Sequence, residues 1–258
     1  MAVEVTVLGS CGAWPEPGRA CSGFVVSAGG QRLVLDLGYG TLPSLLSLLG
    51  NEIANGLDAV VITHHHPDHM VDLHGLLRAR WFGNRAATRL PLIAPEPVLQ
   101  SLRNLENGRV DSLHHVFDWH PAPGGSVVVG PFTISTMRVP HFVPAMGVRV
   151  EAEGYVVAYT GDTGPSRVLV DLARDADLLI VEASDRYQRR PAPPSEPWPP
   201  LWLDSASAGV LAREAGVRRA LLMHFEPGND RQVTASNVAR HYGGEILIAD
   251  EGLTIPLA

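Results

Sequence analysis

The run LDAVVITH, Leu57 to His64, is apolar almost without interruption and ends in a histidine. A strand with no polar face has to be covered on both sides, so the sheet that holds it must lie between other layers. The flanking pattern fits that demand. EVTVL (Glu4 to Leu8), GFVVSA (Gly23 to Ala28) and RLVLDL (Arg32 to Leu37) read as strands, with GSCGAWPEPGRACSG as a long connecting loop. TLPSLLSLL and DLHGLLRARWF have helical spacing. The stretch from Asn84 to Gly130 is less regular. SVVVG, PFTISTMRV, MGVRVEAEG and YVVAYTGD then give strands joined by tight turns. Helix RVLVDLARDA, strand DLLIVEA, helix SASAGVLAREAG, strand RRALLMHF, helix QVTASNVARHYG and strand EILIAD follow. Strands alternating with helices in both halves predict an α/β layered fold, with residues 1–258 as a single domain. The Pro-rich RRPAPPSEPWPPLW (Arg189 to Trp202) reads as a surface loop between patterned elements, and its two tryptophans would suit a lid over a site.

Composition narrows the partners. The formal net charge is −7, and every basic side chain is arginine. An acidic chain without lysine is poorly suited to holding long nucleic acid by phosphate neutralisation, while a small anionic substrate stays open. No apolar run approaches the roughly 20 residues of a membrane span. The N-terminus, MAVEVTVLGS, alternates like a strand and lacks a basic region followed by an apolar core, which predicts a cytoplasmic location. Cys11 and Cys21 read as free, buried thiols.

Chemistry concentrates in ITHHHPDHMVDLHG, Ile62 to Gly75, where five of fourteen residues are histidines. His64, His66, Asp68 and His69 stand just past the end of the apolar strand, where a rigid scaffold can aim loop ligands at one point. The alternation turns His65 away from them, and His74 reads as a bystander too. Three more residues of the same type end apolar strands: His141 in MRVPHFVP, Asp162 in VVAYTGDT and His224 in ALLMHFEP. One histidine at such a place is ordinarily a hydrogen-bonded structural residue. Four strand ends that all finish in imidazole or carboxylate point to a metal centre. The mixed N/O set suits zinc, manganese or iron. Seven ligands suit two metals about 3.5–4 Å apart, with one carboxylate between them.

HHHPDH fits the HxHxDH motif of the metallo-β-lactamase superfamily. Asp36 in LDLG, His141, Asp162 in TGDT and His224 occur in that family's order, and the resemblance covers essentially the whole chain. It implies a four-layer αββα sandwich with two divalent metal ions, zinc in the first place and Mn2+ or Fe2+ as alternatives, at one edge of the sheets. By the same resemblance His64, His66 and His141 bind one metal, Asp68, His69 and His224 the other, and Asp162 bridges. Asp36 supports the ligands from behind. LGSCGAWPEPGRACSGF, VPHFVPAMGVRVE and VEAS are similar to the ribonuclease Z and cyclic phosphodiesterase branch, and Glu182 matches the glutamate of its HEAT-like motif. Asp68 would then double as proton acceptor, and Glu182 would orient a neighbouring group or help protonate the leaving oxygen. The chain departs from transfer-RNA-processing members: the HEAT histidine is Val181, its partner histidine falls near Trp202, and there is no lysine-rich, glycine-rich arm. These departures argue against transfer RNA. The expectation is a binuclear hydrolase, phosphodiesterase-like, for a small phosphodiester such as a cyclic nucleotide. A thioesterase or lactonase of the same fold is the alternative, its cavity wall built from the Pro/Trp loop and the 84–120 region; a non-catalytic binding member comes behind it. Arg149 is a candidate substrate contact, and a homodimer is compatible with this branch.

Overall fold

The first half of the chain pairs its apolar runs into one sheet: β1 (Glu4–Gly9), β2 (Gly23–Ala28), β3 (Gln31–Leu37), β4 (Ala59–Val61), β5 (Leu90–Ala94) and β6 (Phe117–Pro121). Between them run α1 (Thr41–Leu49), α2 (Pro67–Gly83), α3 (Glu96–Leu105) and α4 (Asp111–Val116). The second half adds β7 (Ser126–Val129), β8 (Phe132–Val139), β9 (Ala145–Ala152), β10 (Tyr155–Tyr159) and β11 (Leu178–Glu182). It closes with β12 (Arg219–Met223), β13 (Glu245–Ile248) and β14 (Thr254–Pro256), with α5 (Arg167–Ala173), α6 (Ser205–Glu214) and α7 (Arg231–Val238) interspersed. These elements come from a computed structural model that describes residues 3–83, 88–189, 192 and 200–257.

The sheets have the orders β14-β1-β2-β3-β4-β5-β6 and β13-β12-β11-β10-β9-β8-β7. Alternation along each strand divides the core. Phe24, Val26, Leu33 and Leu35 pack toward the second sheet, against residues such as Phe132, Val148 and Tyr159. Val25 and Val34 face the other way, onto Leu45 of α1 and Leu73, Leu76 and Leu77 of α2. Both faces of the strands are apolar because both are covered, so helices, two sheets and helices again stack as the expected αββα layers.

Three differences from the sequence reading have local causes. β4 stops at Val61 instead of reaching His64, because the Thr63 N–H donates to Asp36 Oδ1 at 2.7 Å rather than to a strand neighbour. α2 starts at Pro67, five residues before the expected DLHG, since proline is tolerated in a first turn and an acidic Asp68 suits the positive helix end. Asp68 and His69 therefore ride on the opening turn of a helix. The stretch after Asn84 is more regular than its prolines suggest: α3 takes Pro97 inside its first turn and buries Val98, Leu99 and Leu102. The terminal TIP, which carried no signal, pairs antiparallel with β1 through Val5↔Ile255. The reading of 189–202 as a lid falls largely outside the described residues. Among the described residues no helix is long and apolar enough to cross a membrane.

Phe24 is fully buried between the sheets, its ring 5.5 Å from that of Tyr159 in an edge-on contact. Phe24→Ala should lower unfolding free energy by about 3–5 kcal/mol, read from the urea midpoint at constant m-value.

Candidate metal centre

Strand ends from both sheets converge at one edge. Asp36 ends β3, His64 follows β4, His141 follows β8, Asp162 follows β10, and His224 comes directly after β12. Two of these turns are strained: Asp36 (φ 60°) and His224 (φ 58°) sit in the left-handed region. Such non-glycine residues cost on the order of 1–3 kcal/mol and persist where the surroundings hold them. The loop after β1 leans on the same edge. A Cβ on Gly12 would lie 2.5 Å from the His224 ring, and one on Gly38 would lie 1.9 Å from the Asp68 carbonyl oxygen. Only glycine permits those approaches. The Ala13 N–H, so delivered, donates to Asp68 Oδ2 at 2.8 Å.

All seven residues read as ligands meet here, in two groups that share Asp162. In each group the candidate ligand atoms lie within 4.8 Å of one another: His64, His66, His141 and Asp162 in one, Asp68, His69, Asp162 and His224 in the other. His66 Nδ1 is 3.0 Å from His64 Nε2 and 3.2 Å from His141 Nε2, and Asp162 Oδ2 is 4.0 Å from the latter two. In the second group His69 Nε2 is 3.1 Å from Asp162 Oδ1, and His224 Nε2 is 3.1 Å from Asp162 Oδ2. Asp68 Oδ2 lies 3.3 Å from His224 Nε2 and 3.6 Å from His69 Nε2. Ligands bound at about 2.0–2.1 Å around a tetrahedral cation stand about 3.3–3.4 Å apart, so the spacing is that of a coordination shell.

Which nitrogen faces inward is set from behind. His69 donates its Nδ1–H to Asp36 Oδ2 at 2.8 Å, and His141 donates its own to the Leu201 carbonyl at 3.0 Å. Ser184 Oγ donates to the His224 carbonyl at 2.9 Å, so it accepts the His224 Nδ1–H at 2.7 Å. Thr63 Oγ donates to Asp36 Oδ2 at 2.8 Å and accepts from His64 Nδ1 at 3.0 Å. Four imidazoles are thereby held as the tautomer whose Nε2 lone pair points into the cluster.

Unassisted, this arrangement is electrostatically incomplete. His69 Nε2 and Asp162 Oδ1 are buried 3.1 Å apart, yet neither makes a well-aligned hydrogen bond among the described residues. Three imidazole nitrogens, those of His64, His66 and His141, converge at His66, a set of donors that suits a cation. Burial and the neighbouring imidazoles hold His64 well below its ordinary pKa, and burial brings His66 down to about 4 and lowers His141. The other two go the opposite way: burial is the largest influence and lowers them, but Asp162, Asp68 and the hydrogen bonds to neighbouring carboxylates together outweigh it and raise His69 well above normal and His224 to about 10. Burial opposes ionisation of Asp68 and Asp162, yet the His69 and His224 charges hold both well below the carboxylate range. Protons on His69 and His224 occupy the place a cation would take. The donor set fits two divalent metals: His64, His66 and His141 toward one, Asp68, His69 and His224 toward the other, Asp162 toward both.

Other residues singled out by sequence fall elsewhere. Glu182 is 1% exposed and accepts the Thr163 N–H at 2.8 Å, with His224 Nδ1 at 3.8 Å. It belongs to neither ligand group; burial, with the Asp162 charge, pushes its carboxyl up to about 8. Arg149 lies on β9, where its guanidinium is spent on Glu151 and on the Leu172 and Arg174 carbonyls at the end of α5. His74 bonds Glu106 at 2.7 Å and ties α2 to the end of α3. His65 shares no ligand group. Cys11 and Cys21 are free and buried, and burial raises both thiols, Cys11 to about 11. Of the 84–120 region, the described part from Arg89 to Trp119 walls a separate cavity lined by Leu92, Leu99, Phe117 and Trp119 that contains none of the seven residues.

Sequence reading passed over several supports. Tyr159 donates to Asp36 Oδ2 at 2.7 Å from the last position of the apolar strand β10, with no local signal. Arg231 donates to Ser10 Oγ at 2.8 Å and the Ala249 carbonyl at 2.9 Å, reaches Cys11 Sγ at 3.5 Å, and lies 4.5 Å over the Phe225 ring. It thus clamps the two segments that carry Gly12–Ala13 and His224.

Residues 31–225 match the family model described as Beta-lactamase superfamily domain. The chain is 32% identical over 260 residues to Uncharacterized protein Rv1339 of Mycobacterium tuberculosis, covering 97% of this chain and 92% of that protein. It is 30% identical over 272 residues to Ribonuclease Z of Mycolicibacterium paratuberculosis, covering 96% of each. The crystal structure of the metallo-beta-lactamase fold protein YhfI from Bacillus subtilis superposes with a TM-score of 0.83 at 25% identity, covering 99% of this chain and 100% of that one.

Two outcomes are expected of this centre. Arg231→Met should weaken the metal held by Asp68, His69 and His224 by about 10–100-fold, the range for outer supports, before the other metal is affected, as a two-site metal titration will show. Both thiols should resist a disulfide reagent in the native protein at about pH 8, below their raised pKa values, with labelling increasing as the pH rises and becoming complete on unfolding.

Proposed function

The chain belongs to the β-lactamase superfamily, and from that premise we propose that it is a two-metal hydrolase of a small phosphodiester. The observation that carries the reading is the pair of ligand groups sharing Asp162, with every one of the seven positions filled. Zinc is the proposed metal, since the set mixes five imidazoles with two carboxylates; manganese or iron would accept the same donors. Both sheets supply ligands, so residues 1–258 are read as one hydrolase domain. The likeness to a protein named Ribonuclease Z supports phosphoester over acyl chemistry.

When bound, two divalent cations would supply positive charge for the non-bridging ester oxygens and make water acidic enough to attack at neutral pH. The protein's own part is orientation and proton movement. His64, His66 and His141 hold one side of the centre, and Asp68, His69 and His224 the other. Asp162 fixes the separation. Asp68 is held by the Ala13 N–H at 2.8 Å with its carboxylate facing the shared volume. It takes the proton of the attacking water as the new P–O bond forms. The ester's leaving oxygen departs in line, on the far side of phosphorus, and takes a proton from solvent, while Asp68 releases to solvent the one it accepted. Glu182 acts through Thr163 and His224, keeping Asp162 and the His224 ring in place.

The test is metal content together with hydrolysis of bis-p-nitrophenyl phosphate in Asp162→Ala and His66→Ala. Asp162→Ala should lose both metals and nearly all turnover, and His66→Ala should lose the metal of its own group first. Both should fall by more than the about 10–100-fold cost of outer supports. Full activity after metal loss would refute the mechanism. A panel setting phosphodiesters beside acyl thioesters and lactones checks the substrate, and turnover of the acyl compounds alone would replace this reading.

A further inference from the structure

A cavity of about 390 Å³ lies beside the metal centre, with Ser184, Arg186, Tyr187, Trp202, Ser207 and Asn237 in its wall. It contains none of the ligand atoms, and two contacts join it to them. Ser184 Oγ accepts the His224 Nδ1–H at 2.7 Å. On the other side the Arg186 guanidinium lies 4.3 Å from the Trp202 ring and 5.9 Å from the Phe142 ring, and Phe142 packs edge-on to His141 at 5.3 Å. The backbone repeats that link, because the Leu201 carbonyl beside Trp202 holds His141 Nδ1 at 3.0 Å. The cavity therefore begins one side chain away from His141 and His224, one ligand of each group.

Its wall is mixed in a way that selects a ligand. Trp202 supplies an indole, with the Tyr187 ring 6.5 Å from it at 71°. The Asn237 amide and the Ser207 hydroxyl are half-buried polar groups in the same wall. Two carboxylates also line the space and are already engaged. Asp185 accepts the Ser205 N–H at 2.9 Å and the Thr234 hydroxyl at 2.7 Å, and Asp204 caps α6 through the Ser207 N–H at 2.8 Å. An alkyl chain would strip water from these groups and return nothing. A planar heterocycle returns both kinds of contact, its face to the indole and its edge to amide, hydroxyl and carboxylate.

We infer that this cavity is the subsite for the non-reacting part of the substrate, a planar heterocycle of the nucleobase kind, and that Trp202 and Asn237 set that specificity. The inference rests on the phosphodiester reading of the neighbouring centre. Neither residue touches the reacting atoms; they determine which ester is held there.

Binding separates the two readings. Nucleoside monophosphates and inorganic phosphate are titrated by calorimetry into the metal-loaded wild type, Trp202→Ala, Trp202→Phe and Asn237→Ala, and each is tried as an inhibitor of bis-p-nitrophenyl phosphate hydrolysis. The wild type should bind a nucleoside monophosphate at least about tenfold more tightly than phosphate, the scale of one stacked base. Trp202→Ala should erase that margin with phosphate affinity and metal content unchanged, Trp202→Phe should keep most of it, and Asn237→Ala should alter which base is preferred. Equal affinity for nucleotide and phosphate in the wild type would overturn the subsite, as would a Trp202→Ala variant that weakens both equally. Base-dependent binding in a protein that cleaves no phosphodiester would uphold the subsite and refute the reaction; turnover without base-dependent binding would do the reverse.

Discussion

The carboxylate of Asp36 is the joint on which the rest depends. It is fully buried, and it accepts four donors: the Thr63 N–H, the Thr63 hydroxyl, the His69 Nδ1–H and the Tyr159 hydroxyl. A buried carboxylate is tolerated only when it is so satisfied. Each donor ties down something different. Thr63 ends β4 and turns His64 inward, His69 belongs to the first turn of α2, and Tyr159 reaches across from the second sheet. One side chain thus fixes the gap between the sheets and the orientation of a histidine in each ligand group. The left-handed backbone at Asp36 follows from the need to aim the carboxylate at all four.

Around that joint the remaining ligands are held by a second set of constraints from the opposite end of the chain. The loop after β1 passes close enough to His224 that position 12 must be glycine, and the next residue spends its N–H on Asp68. This loop is fastened in turn by Glu251, whose Oε1 accepts the Ser10 N–H, the Ser10 hydroxyl and the Ala20 N–H at 3.1, 2.9 and 3.2 Å. Arg231 adds its clamp from α7. The group containing Asp68, His69 and His224 is therefore braced by segments near both ends of the chain, Gly12–Ala13 on one side and Arg231 and Glu251 on the other, so changes in those segments reach this group first.

The ligands themselves were legible in the sequence because metal sites use distinctive residues at strand ends: His64, His66, Asp68, His69, His141, Asp162 and His224 each stand out against apolar runs. Their supports were not. Tyr159, Thr63 and Ser184 act through hydrogen bonds between segments far apart in the chain, and the Leu201 carbonyl leaves no trace in side-chain identity at all. Gly12 looked like one more loop glycine until the His224 ring was placed beside it. The elements missed from the sequence were hidden for similar reasons. α3 was obscured by Pro95 and Pro97, although proline fits a helix start, and β14 is too short to show a pattern apart from its partner β1. Glu182 was legible as a candidate, but only the structure shows it buried against the Thr163 N–H and the His224 ring.

The central claim is that two cations sit on either side of Asp162. Anomalous diffraction at the zinc edge from crystals of the metal-loaded protein tests it most directly. The account predicts two peaks about 3.5–4 Å apart, one against His64, His66 and His141, the other against Asp68, His69 and His224, with Asp162 touching both. A single peak, or two that leave Asp162 uncoordinated, would contradict it.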